Sequence, residues 1–318
     1  MLSRTADSLY WMSRYLERAE NTSRVFAVHA NLMLERGTEP RPQDWSHLLL
    51  SVGVDLEEVG GEEKAFDGAV ALLNEPTDPF SIGFTIERAR ENARAVREMI
   101  SSEMWEQINR LYHQVRGAGT VYTWGAQDFL QGVINGAHLF TGVTDSTMTH
   151  GEGWQFIQAG RYMERTVRLC TLIRRHFLQF HHPDEPEAER KAYLEWIGML
   201  RSCTAFEAYC KVYTAELVSS NVAEFLILHP TFPHSVHFSA KALETAVREI
   251  GEETDSRRAS RVERIAGRLR AMLGFGQIDE VMSGGLDAYL DNVMRQAGQV
   301  HGALYQTYVG YPVEEAIA

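Results

Sequence analysis

Arg14-Tyr15-Leu16-Glu17-Arg18 returns 147 positions later as Arg161-Tyr162-Met163-Glu164-Arg165. Each copy lies in a run whose apolar residues fall on every side of a helix. In the first run Leu9, Met12, Leu16, Ala19, Ser23, Phe26, Ala30 and Met33 recur at alternating steps of three and four and form one seam. Tyr10, Val25, Val28 and Leu32 point roughly the other way, at about 100° per residue. A helix that is apolar all round is buried all round. The arginines and glutamates on that second face are therefore predicted to lie inside the protein or in a cleft, where a charge has to be paired or has to hold something charged. These two stretches organise the chain.

The rest of the pattern is helical. Ser3 is placed to cap a first helix that runs to about Glu35, before Gly37, Pro40 and Pro42 stop it. Further helices are predicted at Trp45–Val52, Lys64–Leu73, Ser81–Ile100, Ser102–Val115 and Gly125–Phe140. No sustained period-two alternation with strand-type turns occurs, so the fold is expected to be all-α. The second half keeps the same order. Trp45…Leu49-Leu50-Ser51 matches Trp196…Leu200-Arg201-Ser202 at an offset of 151. Pro76-Thr77-x-Pro79-x-Ser81-x-x-Phe84 matches Pro230-Thr231-x-Pro233-x-Ser235-x-x-Phe238 at 154, and Arg94 falls on Arg248 in the same register. Leu130, Val133 and Ala137 meet Leu290, Val293 and Ala297 at 160. Offsets that only grow are what loop insertions after a duplication produce. The expectation is two tandem multi-helix units, 1–146 and 147–318, packed as one body because no flexible linker divides them. The acidic segment His182–Glu189 reads as a surface loop and the residues after Pro312 as a loose end.

Composition closes off several classes of function. A formal charge of −12 on 318 residues argues against sequence-independent nucleic-acid binding and against adsorption to anionic membranes. No uncharged apolar run approaches the roughly 18 residues a spanning helix needs, the first residues lack a signal-peptide layout, and Cys170, Cys203 and Cys210 make no disulfide framework. A cytoplasmic protein is expected. Glu-x-x-His, His-Glu-x-x-His, the phosphate-binding P-loop and Gly-x-Ser-x-Gly are all absent from the sequence. His234 and His237 have helical spacing without a third ligand, so no metal site and no cofactor are expected. Trp11 and Trp154 read as core aromatics and Cys170 as a buried thiol.

Two constellations remain. Arg14, Glu17, Arg18 and Arg24 group on adjoining turns of the first helix, and Arg161, Glu164, Arg165 and Arg168 do the same in its partner. If the motifs meet, guanidinium forks can hold a carboxylate or phosphate while Glu17 or Glu164 orients them or acts as a base. The plain alternative is a buried Arg–Glu lattice that locks the halves together. The second constellation is the Pro-Thr-x-Pro-x-Ser element. Ser81 and Ser235 are placed as helix caps, and at Ser235 the free amides of a helix N-terminus are also a candidate anion contact.

The chain resembles the alpha-E domain family, bacterial all-helical proteins named for a glutamate in an N-terminal Glu-Arg motif. The stretches that carry the resemblance are Ser3-Arg4…Leu9-Tyr10-Trp11-Met12-x-Arg14-Tyr15-x-Glu17-Arg18-Ala19-Glu20 and Gly153-Trp154-x-Phe156…Gly160-Arg161-Tyr162-x-Glu164-Arg165. Ser102-Glu103-x-Trp105-Glu106-x-Ile108-Asn109 and Glu224-Phe225-Leu226-Ile227-Leu228…Phe232-Pro233-x-Ser235-Val236 extend it over nearly the whole chain. His234 stands where the resemblance leads one to expect an arginine. Such proteins are encoded beside a circularly permuted ATP-grasp protein and a transglutaminase-like protein. The resemblance thus implies a helical component of a peptide or amide ligation pathway, working with an ATP-grasp ligase and binding an anionic peptide or amino acid in the Arg/Glu cleft. An enzyme with Glu17 or Glu164 as general base, and a purely structural subunit, stand as the alternatives.

Overall fold

The computed structural model describes residues 1–37, 40–118, 126–181, 192–214, 216–254 and 259–310, and among these it contains α-helices and no strand. Two long helices form the centre: α1, Ser3–Arg36, and α7, Glu152–Phe180. Between them come α2 (Pro42–Ser51), α3 (Ala65–Asn74), α4 (Ile82–Ala95), α5 (Ser102–Gly117) and α6 (Gln127–Thr147). After α7 follow α8 (Tyr193–Ser202), α9 (Phe206–Tyr213), α10 (Ser219–Leu228), α11 (Val236–Thr254), α12 (Ala259–Gly274), α13 (Ile278–Ser283) and α14 (Leu286–Leu304), with a π-helical turn at Tyr305–Val309.

The boundaries follow local chemistry. Gly37 ends α1 in the left-handed conformation, φ 63°, and its N–H returns to the Leu34 carbonyl, so glycine stops the helix as the sequence suggests. Its start differs from expectation. Leu2 is the cap residue and makes no side-chain bond, while Ser3 is already the first helical residue. The start is held instead by the terminal amine of Met1, 2.9 Å from Glu152 at the head of α7. The helix expected to reach Ile100 stops at Ala95, and a separate helix begins at Ser102 behind a Ser101 cap. Position 125, the 182–189 segment and the residues after 312 lie outside the described residues.

Contacts between α1 and α7 keep a nearly constant sequence separation. Arg14 reaches Glu164, Arg165 reaches Glu17 and Arg18 reaches Glu164, at separations of 150, 148 and 146. The two helices therefore run side by side in the same direction. They approach closely at Gly160, where an added Cβ would stand 2.2 Å from the Tyr10 carbonyl oxygen and 2.3 Å from Ser13 Oγ. Around this pair, α1 packs on α4 and α6 and takes α8 from the later half, whereas α7 packs on α11 and α14 and takes α2 from the earlier one. One hydrophobic core runs through all of these elements, from Leu9, Phe26 and Leu49 to Phe156, Trp196, Leu243 and Val293. α2, α4, α6, α8, α11 and α14 thus bury the flanks of α1 and α7, and the two Arg/Glu motifs are enclosed as a consequence.

Candidate functional site

Within each motif, arginines lie three residues before and one residue after the glutamate. When two such helices run in parallel with their motifs at the same height, each glutamate faces the arginines of the other helix. The structure shows that crossed arrangement. Glu164 is completely buried and accepts from Arg14 Nε at 2.8 Å, Arg18 Nε at 2.7 Å and Arg168 Nε at 2.9 Å. Arg168 also donates to the Val52 carbonyl at 2.7 Å, which ties the cluster to the end of α2. Burial alone would raise the Glu164 pKa, but the charges of Arg168, Arg14 and Arg18 overcome it and hold the carboxyl well below the usual range. The Arg14 guanidinium lies 4.4 Å over the Trp11 ring and 5.5 Å over Tyr10, whose hydroxyl meets His301 Nδ1 at 2.9 Å. A carboxylate this enclosed and this stable as an anion is poorly suited to accept a proton in a reaction.

The Glu17 side is built differently. Arg165 grips Glu17 in a fork, Nε to one oxygen at 2.5 Å and Nη2 to the other at 2.9 Å, and its Nη1 donates to the Pro233 carbonyl at 3.2 Å. Asn21 occupies the place that Arg168 has on α7. Arg161 comes within only 3.7 Å of Glu17, and its buried Nε has no hydrogen-bond partner. One turn along α1, Glu20 receives Nε of Arg24 at 2.9 Å, with a second contact from Arg24 Nη2, and His138 Nε2 lies 3.4 Å away. Burial works to raise the Glu20 pKa, yet the His138 bond and the Arg24 charge bring it below its ordinary value. His234, half-buried beside Arg165, Arg24 and Arg161, has its pKa driven well below 6.5 by desolvation and by those positive neighbours, so it is neutral at pH 7.

These groups enclose a cavity of about 60 Å³ lined by Glu17, Glu20, His138, Arg161, Arg165 and His234, together with Ser13, Thr141 and Thr144. A water needs about 10–15 Å³ on this scale, so the space suits a group the size of a carboxylate. Arg24, Arg161 and Arg165 against Glu17 and Glu20 leave one positive charge over, and it resides on Arg161.

The expected site residues therefore separate. Arg14, Arg18 and Arg168 are committed to Glu164. Arg165 is committed to Glu17 and Arg24 to Glu20, and Arg161 is the guanidinium with bonding capacity left. Ser235 is a correction. Its hydroxyl accepts from Phe238 N at 3.0 Å and donates to the His229 carbonyl at 2.5 Å, and the residue is fully buried, so it caps α11 and has nothing to offer a ligand. Ser81 does the same for α4, accepting from Phe84 N at 3.0 Å and donating to the Glu75 carbonyl at 2.7 Å. Trp154 is also a correction, since it is partly exposed and outside the core, whereas Trp11 is partly buried and packs against the core. Trp11 stacks under Arg14, and Trp154 lines a groove and lies 4.2 Å from the His150 ring. Among the described residues no group of three His, Cys, Asp or Glu side chains is placed to hold a metal ion, and no helix is long and apolar enough to cross a membrane.

A second charged cluster escaped the sequence reading. His29, His47 and His176 are buried around the ends of α1, α2 and α7, with ring centroids 6.1 Å apart for His29–His47 and 5.6 Å for His47–His176. Arg36 stands beside them, 2.9 Å from Asp44 and paired also with Glu195. The signal was present: His176 follows His29 by the motif offset of 147, and Glu195 follows Asp44 by the Trp45/Trp196 offset of 151.

An all-α body centred on two parallel helices with reciprocal Glu-Arg clamps is a helical domain defined by that motif. The Alpha-E family, described as a predicted alpha-helical domain with a conserved ER motif, matches residues 1–309, and the chain belongs to it. It is 24% identical over 327 residues to uncharacterised proteins of Mycobacterium bovis and of Mycobacterium tuberculosis strain CDC 1551. It is 23% identical to an uncharacterised protein of strain H37Rv. Each alignment covers 95% of this chain and 35% of the relative, so the chain spans about a third of the length of the curated relatives it matches. No solved structure matches.

Proposed function

We propose that this chain is a cytoplasmic, non-ATP-binding helical component of a bacterial peptide or amide ligation pathway. It works with an ATP-grasp ligase and binds the carboxylate of an acidic peptide or amino acid beside the Glu17 clamp. The observation that carries the reading is Arg161, whose buried Nε has no partner and whose charge is the one left over at a cavity of carboxylate size. A buried N–H without an acceptor is costly unless something completes it, and on a guanidinium an anion does so best. The family resemblance supports the ligase partner.

The structural alternative has its own observation, the closed Arg14–Glu164–Arg18–Arg168 cluster. The two readings divide the motifs between them, with Glu164 locking the halves and Arg161 serving the ligand. The test is titration calorimetry at low salt with glutamate, short acidic peptides, phosphate and the purified ATP-grasp neighbour. Parent is compared with Arg161→Ala and Arg18→Ala. Binding that Arg161→Ala weakens about tenfold or more, while Arg18→Ala acts only through stability, is the expected result. Folded parent that binds none of these overturns the proposal.

A further inference from the structure

The polar wall of the Arg161 cavity is divided. Arg161 is its donor corner, with a buried Nε that has no partner. Arg165 is spent, Nε and Nη2 on Glu17 and Nη1 on the Pro233 carbonyl. Four other groups on the wall present acceptors. Glu17 and Glu20 do so as carboxylates, and the contacts that Glu20 takes from Arg24 and His138 fall on Oε1. Ser13 and Thr144 do so because their protons are used elsewhere. A hydroxyl has one proton and two lone pairs. Ser13 donates to the Tyr10 carbonyl at 3.0 Å and Thr144 to the Phe140 carbonyl at 2.8 Å. Both residues are buried, and what their oxygens have left to offer a ligand is lone pairs. Gln158, Thr141 and the two histidines can bond either way and do not select.

A phosphate or a bare carboxylate on Arg161 would set its own lone pairs against these four groups. The mismatch disappears when the ligand carries donors next to its anionic end. Arg161 Nε and Glu17 are 3.7 Å apart, so the donor and acceptor corners adjoin. An α-amino acid carries its carboxylate and its ammonium on one carbon, in the same close order. The ammonium has three protons and no lone pair, the complement of an acceptor wall, and nearby carboxylates offset its loss of water. Size agrees. The cavity of 60 Å³ takes about four to six waters, the bulk of glycine or alanine. Leu16, Ala137, Phe140 and Ile157 supply the apolar cover for an α-carbon and a methyl group. His138, with a side chain 58% exposed, marks the mouth through which a longer side chain would leave.

We infer that the ligand of this cavity is a small free α-amino acid, its carboxylate on Arg161 and its ammonium on the Ser13 and Thr144 oxygens in the field of Glu17 and Glu20. This rests on the anion reading of Arg161 and narrows it, because the carboxy terminus of a peptide has an amide where the ammonium is required. The test is calorimetry at low salt on the full chain with glycine, alanine, N-acetylglycine, glycinamide and acetate. Glycine and alanine are expected to bind best. Removing either charge, in N-acetylglycine or glycinamide, should weaken binding about tenfold or more, the worth of a charge-assisted bond. Thr144→Val, which keeps the shape of the side chain, should weaken glycine roughly three- to tenfold and leave acetate unchanged, whereas Arg161→Ala should weaken both. If N-acetylglycine or acetate binds through Arg161 as tightly as glycine, this inference fails while the anion reading stands. A folded Thr144→Val protein that binds glycine like the parent also overturns it, and if that variant does not fold the ligand series on the parent decides. If none of these binds while phosphate or an acidic peptide does so through Arg161, this inference alone fails. If nothing binds, both fail.

Discussion

Glu164 has no exposed surface and three guanidinium groups within hydrogen-bonding distance, whereas Glu17 has one tight fork and one distant arginine. Removing the charge from either leaves buried cations facing one another, a loss of about 3–5 kcal/mol for a broken buried pair. Glu164→Gln should therefore lower the melting temperature by on the order of 10 °C, and Glu17→Gln by less, because Arg165 keeps its Pro233 bond. Thermal melts of the two variants beside the parent check the order, and variants that melt like the parent would mean that the charges are solvated. The histidine cluster gives a pH dependence of definite sign. Burial is the main cause that depresses His29 to about 3 and His47 to about 4, and it pushes His176 well below 6.5. The groups facing the cluster are Arg36, which opposes protonation, and Asp44 and Glu195, which are held by Arg36. Below about pH 6.5 the unfolded chain takes up protons that the native state excludes, so stability is fully present above that value and falls as the pH drops toward 4. Each histidine contributes up to about 1.4 kcal/mol per pH unit in that window. Urea unfolding at pH 7.5, 6.5 and 5.5 should show this slope, and His176→Phe should reduce it. A slope unchanged by that substitution places the acid sensitivity elsewhere.

At the level of the element, Ser81 and Ser235 sit in corresponding turns and make corresponding bonds, each accepting from the third residue of its helix and donating to a carbonyl six residues back. Both residues are enclosed, so losing either hydroxyl costs a cap; at Ser235 it also removes the side-chain bond to the His229 carbonyl, whereas the Glu75 carbonyl keeps the Asp78 N–H. Ser235→Ala and Ser81→Ala should each destabilise by about 1–2 kcal/mol. Ser3→Ala should be within about 0.5 kcal/mol of the parent, because Ser3 makes no capping bond. Chemical denaturation midpoints decide, and a Ser3 effect as large as the Ser235 effect contradicts the capping geometry. Helices, their order and these two caps were legible because propensity, proline and apolar period act within a few residues. What the sequence did not disclose depends on distance across the fold. That Glu17 pairs with Arg165 and Glu164 with Arg18 follows from the parallel placement of α1 and α7, which no local pattern encodes. Ser3 misled because a residue type favoured at caps was available one position too late, after the N-terminal amine had found Glu152.

Across the whole molecule, each half leaves a carboxylate that its own arginines do not satisfy. Glu17 is served by Arg165 and Arg161, and Glu164 draws two of its three partners, Arg14 and Arg18, from α1. The serving arginines occupy equivalent motif positions, the packing of α4 and α6 on α1 has its counterpart in α11 and α14 on α7, and α2 and α8 are exchanged between the halves. We propose that these are two copies of one unit, which makes a distinctive prediction. If the chain is cut between α6 and α7 into about residues 1–148 and 149–318, either piece alone exposes the apolar flank of its long helix around an unpaired motif. A second copy of the first piece can satisfy it, since Arg14 and Arg18 of that copy can stand where Arg161 and Arg165 stand in the intact chain. The first piece is thus expected to self-associate as a dimer, and added second piece to displace it into a one-to-one complex with the helicity of the full chain. The displacement is favoured because Arg168, which completes the Glu164 cluster, has only Asn21 as its counterpart in the first copy. Sedimentation and circular dichroism of the pieces, alone and mixed, read the result. A first piece that is monomeric and unfolds cooperatively would show that the halves are independent domains and that the crossed clamps do not hold them together.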